Sequence, residues 1–135
     1  MERVIFEWNV RVYFEDTDSG GVVYHANYLK FMERARTEWL RNLGLNQAKL
    51  KEKDNVMFIV RKIDIQYKIP ARFNDELFIQ TECIKTTDFS IMLKQNILKD
   101  KKIMTEGKVE IVCISSNFFK PARIPNKIKK LMETI

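Results

Sequence analysis

Residues 13–28 read Y-F-E-D-T-D-S-G-G-V-V-Y-H-A-N-Y. This run sets three carboxylates (Glu15, Asp16, Asp18), a glycine pair (Gly20, Gly21) and the chain's only histidine, His25, just ahead of the longest helical pattern. A polar loop held between two regular elements is where a scaffold most often carries its chemistry. The glycine pair opens backbone conformations closed to other residues, so the chain can turn sharply into the helix or approach a ligand closely. A tight turn with solvated acids would account for any one of these residues. It does not account for the whole set at a helix entrance.

The flanks define the loop. Before it, Phe6, Trp8, Val10, Val12 and Phe14 alternate with Glu7, Asn9, Arg11 and Tyr13, the pattern of a half-buried strand. After it the period becomes helical. Tyr28, Met32, Ala35, Trp39 and Leu43, widened by Phe31 and Leu40, form one broad apolar stripe, with Asn27 as the expected N-cap and Gly44 as the stop. A stripe this wide suits a helix wrapped by a sheet.

Residues 45–54 are polar and read as a short second helical turn. Strands then follow. Ile63, Ile65, Tyr67 and Ile69 alternate with polar residues until Pro70, and Leu77, Ile79, Thr81 and Cys83 form a second face. Phe89, Ile91, Leu93 and Ile97 continue after a Thr86-Thr87-Asp88 tip, and a last strand runs through Val109, Ile111 and Cys113. Short connections imply an antiparallel meander. In the tail, Ile128, Leu131, Met132 and Ile135 recur at helical spacing opposite lysines. The expectation is a terminal helix docked on the domain or a sister subunit, with a membrane-surface helix as the alternative. The fold class is α+β: a five-stranded antiparallel sheet wrapped around one long central helix, in a single domain over 1–135. Its edge strands would be protected by pairing in an oligomer.

Composition bounds the function. An apolar share of 45% over 135 residues is globular, and no apolar run is long enough to span a membrane. The first residues lack an apolar central region, so no signal peptide is expected. Cys83 and Cys113 fall in strand-like runs and read as buried thiols of a reducing, cytoplasmic compartment. The net charge of +6 fits a polyanionic partner. Its lysines and arginines are dispersed and not interleaved with exposed aromatics, which argues against nucleic acid. With one histidine and no CxxC or HExxH, a metal site is not expected, and no glycine-rich nucleotide motif exists.

Carboxylate chemistry remains: Asp16 or Asp18 as nucleophile or general base, with free N–H groups of the following helix offered to a developing oxyanion. That equipment suffices for acyl transfer from an activated ester.

The run D-T-D-S-G-G-V-V-Y-H-A-N-Y, followed by E-R-A-R-T-E-W-L and later by V-R-K-I-D-I-Q-Y-K-I-P-A-R, resembles the hot-dog-fold acyl-CoA thioesterases. It is closest to their YbgC branch, which is similar to the 4-hydroxybenzoyl-CoA thioesterases. The resemblance covers nearly the whole chain. It implies a cofactor-free hydrolase of acyl-CoA that forms a homodimer assembling to a homotetramer. It puts Asp18 in the catalytic position, the His25 backbone N–H against the thioester carbonyl, the His25 side chain as an assistant and Tyr13 near the site. Gly21, Val22 and Tyr24 of the motif fall to substrate binding, and Asp16 to shaping the loop through its own backbone.

The sequence departs from the aryl-CoA members at the Thr86-Thr87-Asp88 tip, where those members carry basic side chains and only Lys85 is at hand. Arg61, Lys62, Lys120 and Arg123 are then the candidates for the CoA phosphates, and fatty acyl-CoA is the expected substrate. A hot-dog dehydratase or hydratase is the alternative enzyme, and an acyl-thioester-binding module the non-catalytic one.

Overall fold

The computed structural model describes residues 5–134. Five strands, β1 (Phe6–Arg11), β2 (Val56–Tyr67), β3 (Glu76–Thr86), β4 (Ser90–Lys99) and β5 (Lys102–Ser115), form one antiparallel sheet in the order β1-β3-β4-β5-β2. Three helices accompany it: α1 (Asn27–Asn42), α2 (Gln47–Asp54) and α3 (Asn126–Thr134). The sheet curls around α1, the α+β hot-dog arrangement that the apolar stripe foretells.

The stripe is the buried face. Tyr28, Phe31, Met32, Ala35, Trp39 and Leu40 are buried in one cluster with Leu77 and Ile79 of β3, Ile91, Leu93 and Ile97 of β4, and Val109 and Ile111 of β5. Truncating a side chain such as Phe31 or Trp39 there would cost about 3–5 kcal/mol. Gly44 ends α1 with φ +80°, its N–H bonding the Arg41 carbonyl while the Leu45 N–H bonds that of Leu40. This is the paired-bond stop that glycine makes cheap. Asn46 caps α2, its side chain accepting from the Ala48 and Lys49 amides.

Three expectations change. The first strand stops at Arg11 instead of running to Phe14, because the Asp16 carboxylate captures the Tyr13 N–H and Phe14–Asp16 turns as a short 3-10 segment. Asn27 is the first helical residue and Ala26 the N-cap, since the Asn27 side chain reaches back to Asp16 rather than capping its own helix. The meander holds only for β3-β4-β5. β2 pairs β5 at the far edge, so residues 68–75 cross from one side of the curled sheet to the other past the start of α1. β2 also begins at Val56. A bulge between Val60 and Lys62 shifts its alternation by one residue.

Neither cysteine is in a disulfide and both are buried, and burial pushes the Cys113 thiol up to about 11. In α3, Ile128 and Met132 are buried in the domain core, which uses the helix's apolar side for docking, and Leu131 is half-buried. Ile135, expected on the same stripe, lies outside the described residues, as do residues 1–4. No helix among the described residues is long and apolar enough to cross a membrane.

Met32 of α1 seats directly over Gly107 of β5. A Cβ added at Gly107 would meet Met32 Cε at 2.6 Å and the Gln95 carbonyl oxygen at 3.0 Å. The methionine end can give way, but the strand carbonyl cannot. Gly107→Ala is therefore expected to destabilise the fold by about 1–3 kcal/mol, read from urea unfolding. An unchanged midpoint would mean that the contact relaxes freely.

Candidate active site

The loop is a small hairpin. The Asp18 N–H bonds the Val22 carbonyl at 2.9 Å, the Tyr24 N–H bonds the Asp16 carbonyl at 2.9 Å, and Thr17 and Val23 form a bridge. Gly21 closes the tip with φ +80°, its N–H bonding the Asp18 carbonyl. That conformation is strained for any side chain, so the glycine is required by the turn. The hairpin is tied to the β2–β3 crossover by the Val23 N–H on the Ala71 carbonyl at 2.8 Å and by a Val22–Arg72 bridge.

The two aspartates divide their work. Asp16 is 7% exposed and both its oxygens are engaged, Oδ1 by the Asn27 side-chain amide at 2.9 Å and Oδ2 by the Tyr13 N–H at 2.8 Å. It joins the loop to the first turn of α1. Asp18 is exposed. Its Oδ1 accepts the Gly20 N–H at 2.8 Å, and Oδ2 has no partner among the described residues. Asp16 shapes the loop by accepting the Tyr13 N–H behind it, and Asp18 turns the tip by accepting the Gly20 N–H ahead of it. Of the two, only Asp18 keeps an oxygen available to attack a carbonyl or take a proton from water.

The hairpin leads into the start of α1. Ala26, at φ −71° and ψ −22°, caps the helix with no side-chain bond, and the Asn27 N–H closes a turn onto the Tyr24 carbonyl at 2.8 Å. The N–H groups of His25 and Ala26 have no acceptor among the described residues. Unpaired amides at the positive end of a 16-residue helix are suited to an oxyanion.

Aromatic rings frame this entrance. The His25 ring lies 4.6 Å from that of Tyr24 and 6.5 Å from that of Tyr67, centroid to centroid. The Tyr67 hydroxyl donates to the His25 carbonyl at 2.9 Å, and the Tyr28 hydroxyl accepts the Ala71 N–H at 3.0 Å. Burial, with smaller contributions from the charges of neighbours that include Asp18, raises the Tyr28 phenol and keeps it protonated.

Of the expected site residues, Asp18, Gly21, Val22, Tyr24 and His25 come together in and beside the hairpin. Tyr13 joins through its backbone, and its side chain is 63% exposed. The four basic residues lie elsewhere in the protomer. Arg61 sits at the β2 bulge, bidentate to Glu110, with Lys62 beside it. At roughly 3.3 Å per residue, that is about 20 Å along the strand from Tyr67. Lys120 and Arg123 follow the far end of β5, where Arg123 binds Asp88 at 3.1 Å and stacks over Phe89. Asn27 and Tyr28, which the sequence marks only as cap and stripe residues, join the candidate site, as do Tyr67 and Ala71, to which the sequence gives no site role. Tyr67 and Ala71 look like ordinary strand-end residues, and nothing in the spacing brings them to a helix 40 residues earlier. Among the described residues, no three His, Cys, Asp or Glu side chains converge as metal ligands.

Asp75 anchors the crossover's last turn, accepting the Arg72 N–H at 2.8 Å and pairing with Lys99 at 2.9 Å. Burial pushes its carboxyl up, but the bonds from Lys99 and Arg72 outweigh this and leave it below the usual range. A depressed carboxylate stabilises the fold above its unfolded value and loses that contribution as pH falls through the folded one. Urea unfolding of wild type and Asp75→Asn is expected to show a stability gap at neutral pH that narrows below about pH 4. A gap independent of pH would contradict the pairing.

The sheet order and the enclosed helix define a hot-dog domain, with the acidic hairpin as its candidate site, and comparison with known proteins agrees on the fold. The model of the thioesterase-like superfamily matches residues 12–132. The acyl-CoA thioester hydrolase YbgC of Escherichia coli O157:H7 is 43% identical over 129 residues, covering 95% of this chain and 96% of that one. The acyl-CoA thioesterase YbgC of Haemophilus influenzae is 39% identical over 92% of this chain and 91% of its own. Among solved structures, a probable thioesterase from Bartonella henselae superposes with a TM-score of 0.85 at 37% identity, over 90% of this chain and 100% of that one. The chain belongs to the thioesterase-like superfamily, in the YbgC branch of the hot-dog thioesterases, and is an enzyme of the thioester-hydrolase class.

Proposed function

We propose that the protein hydrolyses acyl-CoA to a free carboxylic acid and CoA, with Asp18 as nucleophile or general base and the first amides of α1 receiving the thioester oxygen. The observation that carries this reading is the asymmetry of the two aspartates beside an uncapped helix: one is fully bonded, the other keeps an oxygen open. As a base, Asp18 takes a proton from water while the hydroxide adds to the carbonyl. As a nucleophile, its oxygen adds directly and water later opens the mixed anhydride. In either case the oxyanion forms at the helix end and its collapse expels the CoA thiolate. A thiolate leaves without obligatory protonation, so the His25 side chain serves chiefly to orient the thioester, assisted by Tyr24. Tyr13 lends its N–H to the Asp16 bond that shapes the loop.

Fatty acyl chains are the proposed substrates, because the Thr86-Thr87-Asp88 tip carries no basic side chain of its own and the two cations the fold brings to it, Arg123 and Lys129, are paired with Asp88. Arg61, Lys62, Lys120 and Arg123 lie outside the hairpin and the start of α1, and we propose that they meet the CoA phosphates across an oligomer interface. A homodimer fits the exposed edges. β2 is an edge strand of 12 residues with Ile59 39% and Val60 42% exposed. Light scattering after gel filtration would test it, a monomer excluding that role for the four residues.

Thiol release from short, long and aromatic acyl-CoA by the purified protein tests the function. Turnover strongest on the long aliphatic chain is expected. Preference for an aromatic acyl group would overturn the substrate assignment. An inert protein would favour the acyl-thioester-binding reading, and hydration of crotonyl-CoA the hydratase.

A further inference from the structure

Tyr67 is the last residue of β2 and stands 42 residues from the helix entrance it touches. Its hold on His25 is rigid on both sides. Tyr67 is in register with Thr105, and the next two amides, Lys68 and Ile69, both bond the Met104 carbonyl at 2.9 and 3.0 Å. Its ring meets that of Tyr28 at 5.2 Å, and Tyr28 in turn receives the Ala71 N–H. The crossover is therefore stitched to the start of α1 at its entry, through Tyr67, and again at Ala71.

A peptide unit is planar, so holding a carbonyl aims the N–H on the other side of the same unit. The Tyr24 carbonyl is held by the Asn27 N–H, which aims the His25 N–H. The His25 carbonyl is held by the Tyr67 hydroxyl, which aims the Ala26 N–H. Both of these amides lack an acceptor among the described residues, and Ala26 has helical backbone angles, so its N–H points out of the helix start. A hydroxyl bonded to the carbonyl also polarises the unit and makes its N–H a better donor.

We infer that Tyr67 is a positioning residue for thioester hydrolysis: its hydroxyl orients the His25–Ala26 peptide so that the Ala26 amide acts as a second oxyanion donor beside that of His25. The inference rests on the proposed function and extends it to a residue on a distant strand. A donor fixed before the reaction lowers the barrier more than one that must reorient. The substrate's ground-state carbonyl gains less from it, so Tyr67 acts on kcat more than on KM.

Tyr67→Phe keeps the ring, and the side chain is 46% exposed, so the fold should survive; the melting temperature checks this. Steady-state thiol release should show kcat reduced roughly tenfold with KM nearly unchanged, a fraction of the loss typical for removing an oxyanion donor outright. In the uncomplexed protein, the Ala26 ¹⁵N resonance should move upfield as its peptide loses the carbonyl bond, while that of His25 stays. An unchanged kcat overturns the inference. So does a raised KM at constant kcat, which would make Tyr67 a uniform substrate contact. Asp18→Asn is assayed alongside. If it retains wild-type turnover, the whole site reading fails. If it is inactive and Tyr67→Phe keeps the wild-type kcat, only the role of Tyr67 fails.

Discussion

Asp18→Asn is expected to lower kcat/KM for acyl-CoA hydrolysis by at least about 100-fold with the fold intact, the scale of removing a positioned acid–base group. Asparagine retains an oxygen that can accept the Gly20 N–H, so the turn survives. What disappears is the basic and nucleophilic character of the open oxygen. Asp18 is exposed and contributes nothing to the core, so unfolding in urea should be nearly unchanged. Thiol-release kinetics and a denaturation curve on the same preparation check both halves. Equal activity of the two proteins would move attention to Asp16 and His25.

The second large effect belongs to Asp16. Asp16→Ala removes two charge-assisted bonds and leaves the buried Asn27 amide unpaired, so a stability loss of about 3 kcal/mol is expected. Activity should fall as well, because Asp16 joins the hairpin that carries Asp18 to the first turn of α1. Asp16→Asn keeps one acceptor and should recover part of both. Urea unfolding measures the first effect and turnover at saturating substrate the second. A loss below about 0.5 kcal/mol would show that the hairpin's own backbone bonds suffice.

How far these features are legible in the sequence depends on the range of the interaction. The α1 stripe, its glycine stop and Gly21 at the hairpin tip are local signals, each set by neighbours within a turn or two, and they read correctly, whereas Gly20 does not take a positive φ. The β2 strand is half-hidden, because the extra residue at the Val60–Lys62 bulge breaks the alternation that marks a strand. The crossover is invisible for another reason. Residues 68–75 make a short connection of the kind that usually joins neighbouring strands. Here the sheet is curled, and the same length passes over the helix end from the β2 edge to β3, the strand next to the opposite edge. That misreading also conceals Tyr67 and Ala71, whose roles exist only because the crossover lies against the hairpin. Within the acidic loop, spacing does not tell Asp16 from Asp18. Burial and the two bonds to Tyr13 and Asn27 separate them.

The most direct test is a crystal structure of the Asp18→Asn protein with an intact acyl-CoA. The thioester carbonyl oxygen should lie about 3 Å from the His25 amide nitrogen, with the substituted side chain at position 18 facing the carbonyl carbon or a water beside it. A thioester whose oxygen points away from the start of α1 would contradict the account, whatever the kinetics of the mutant.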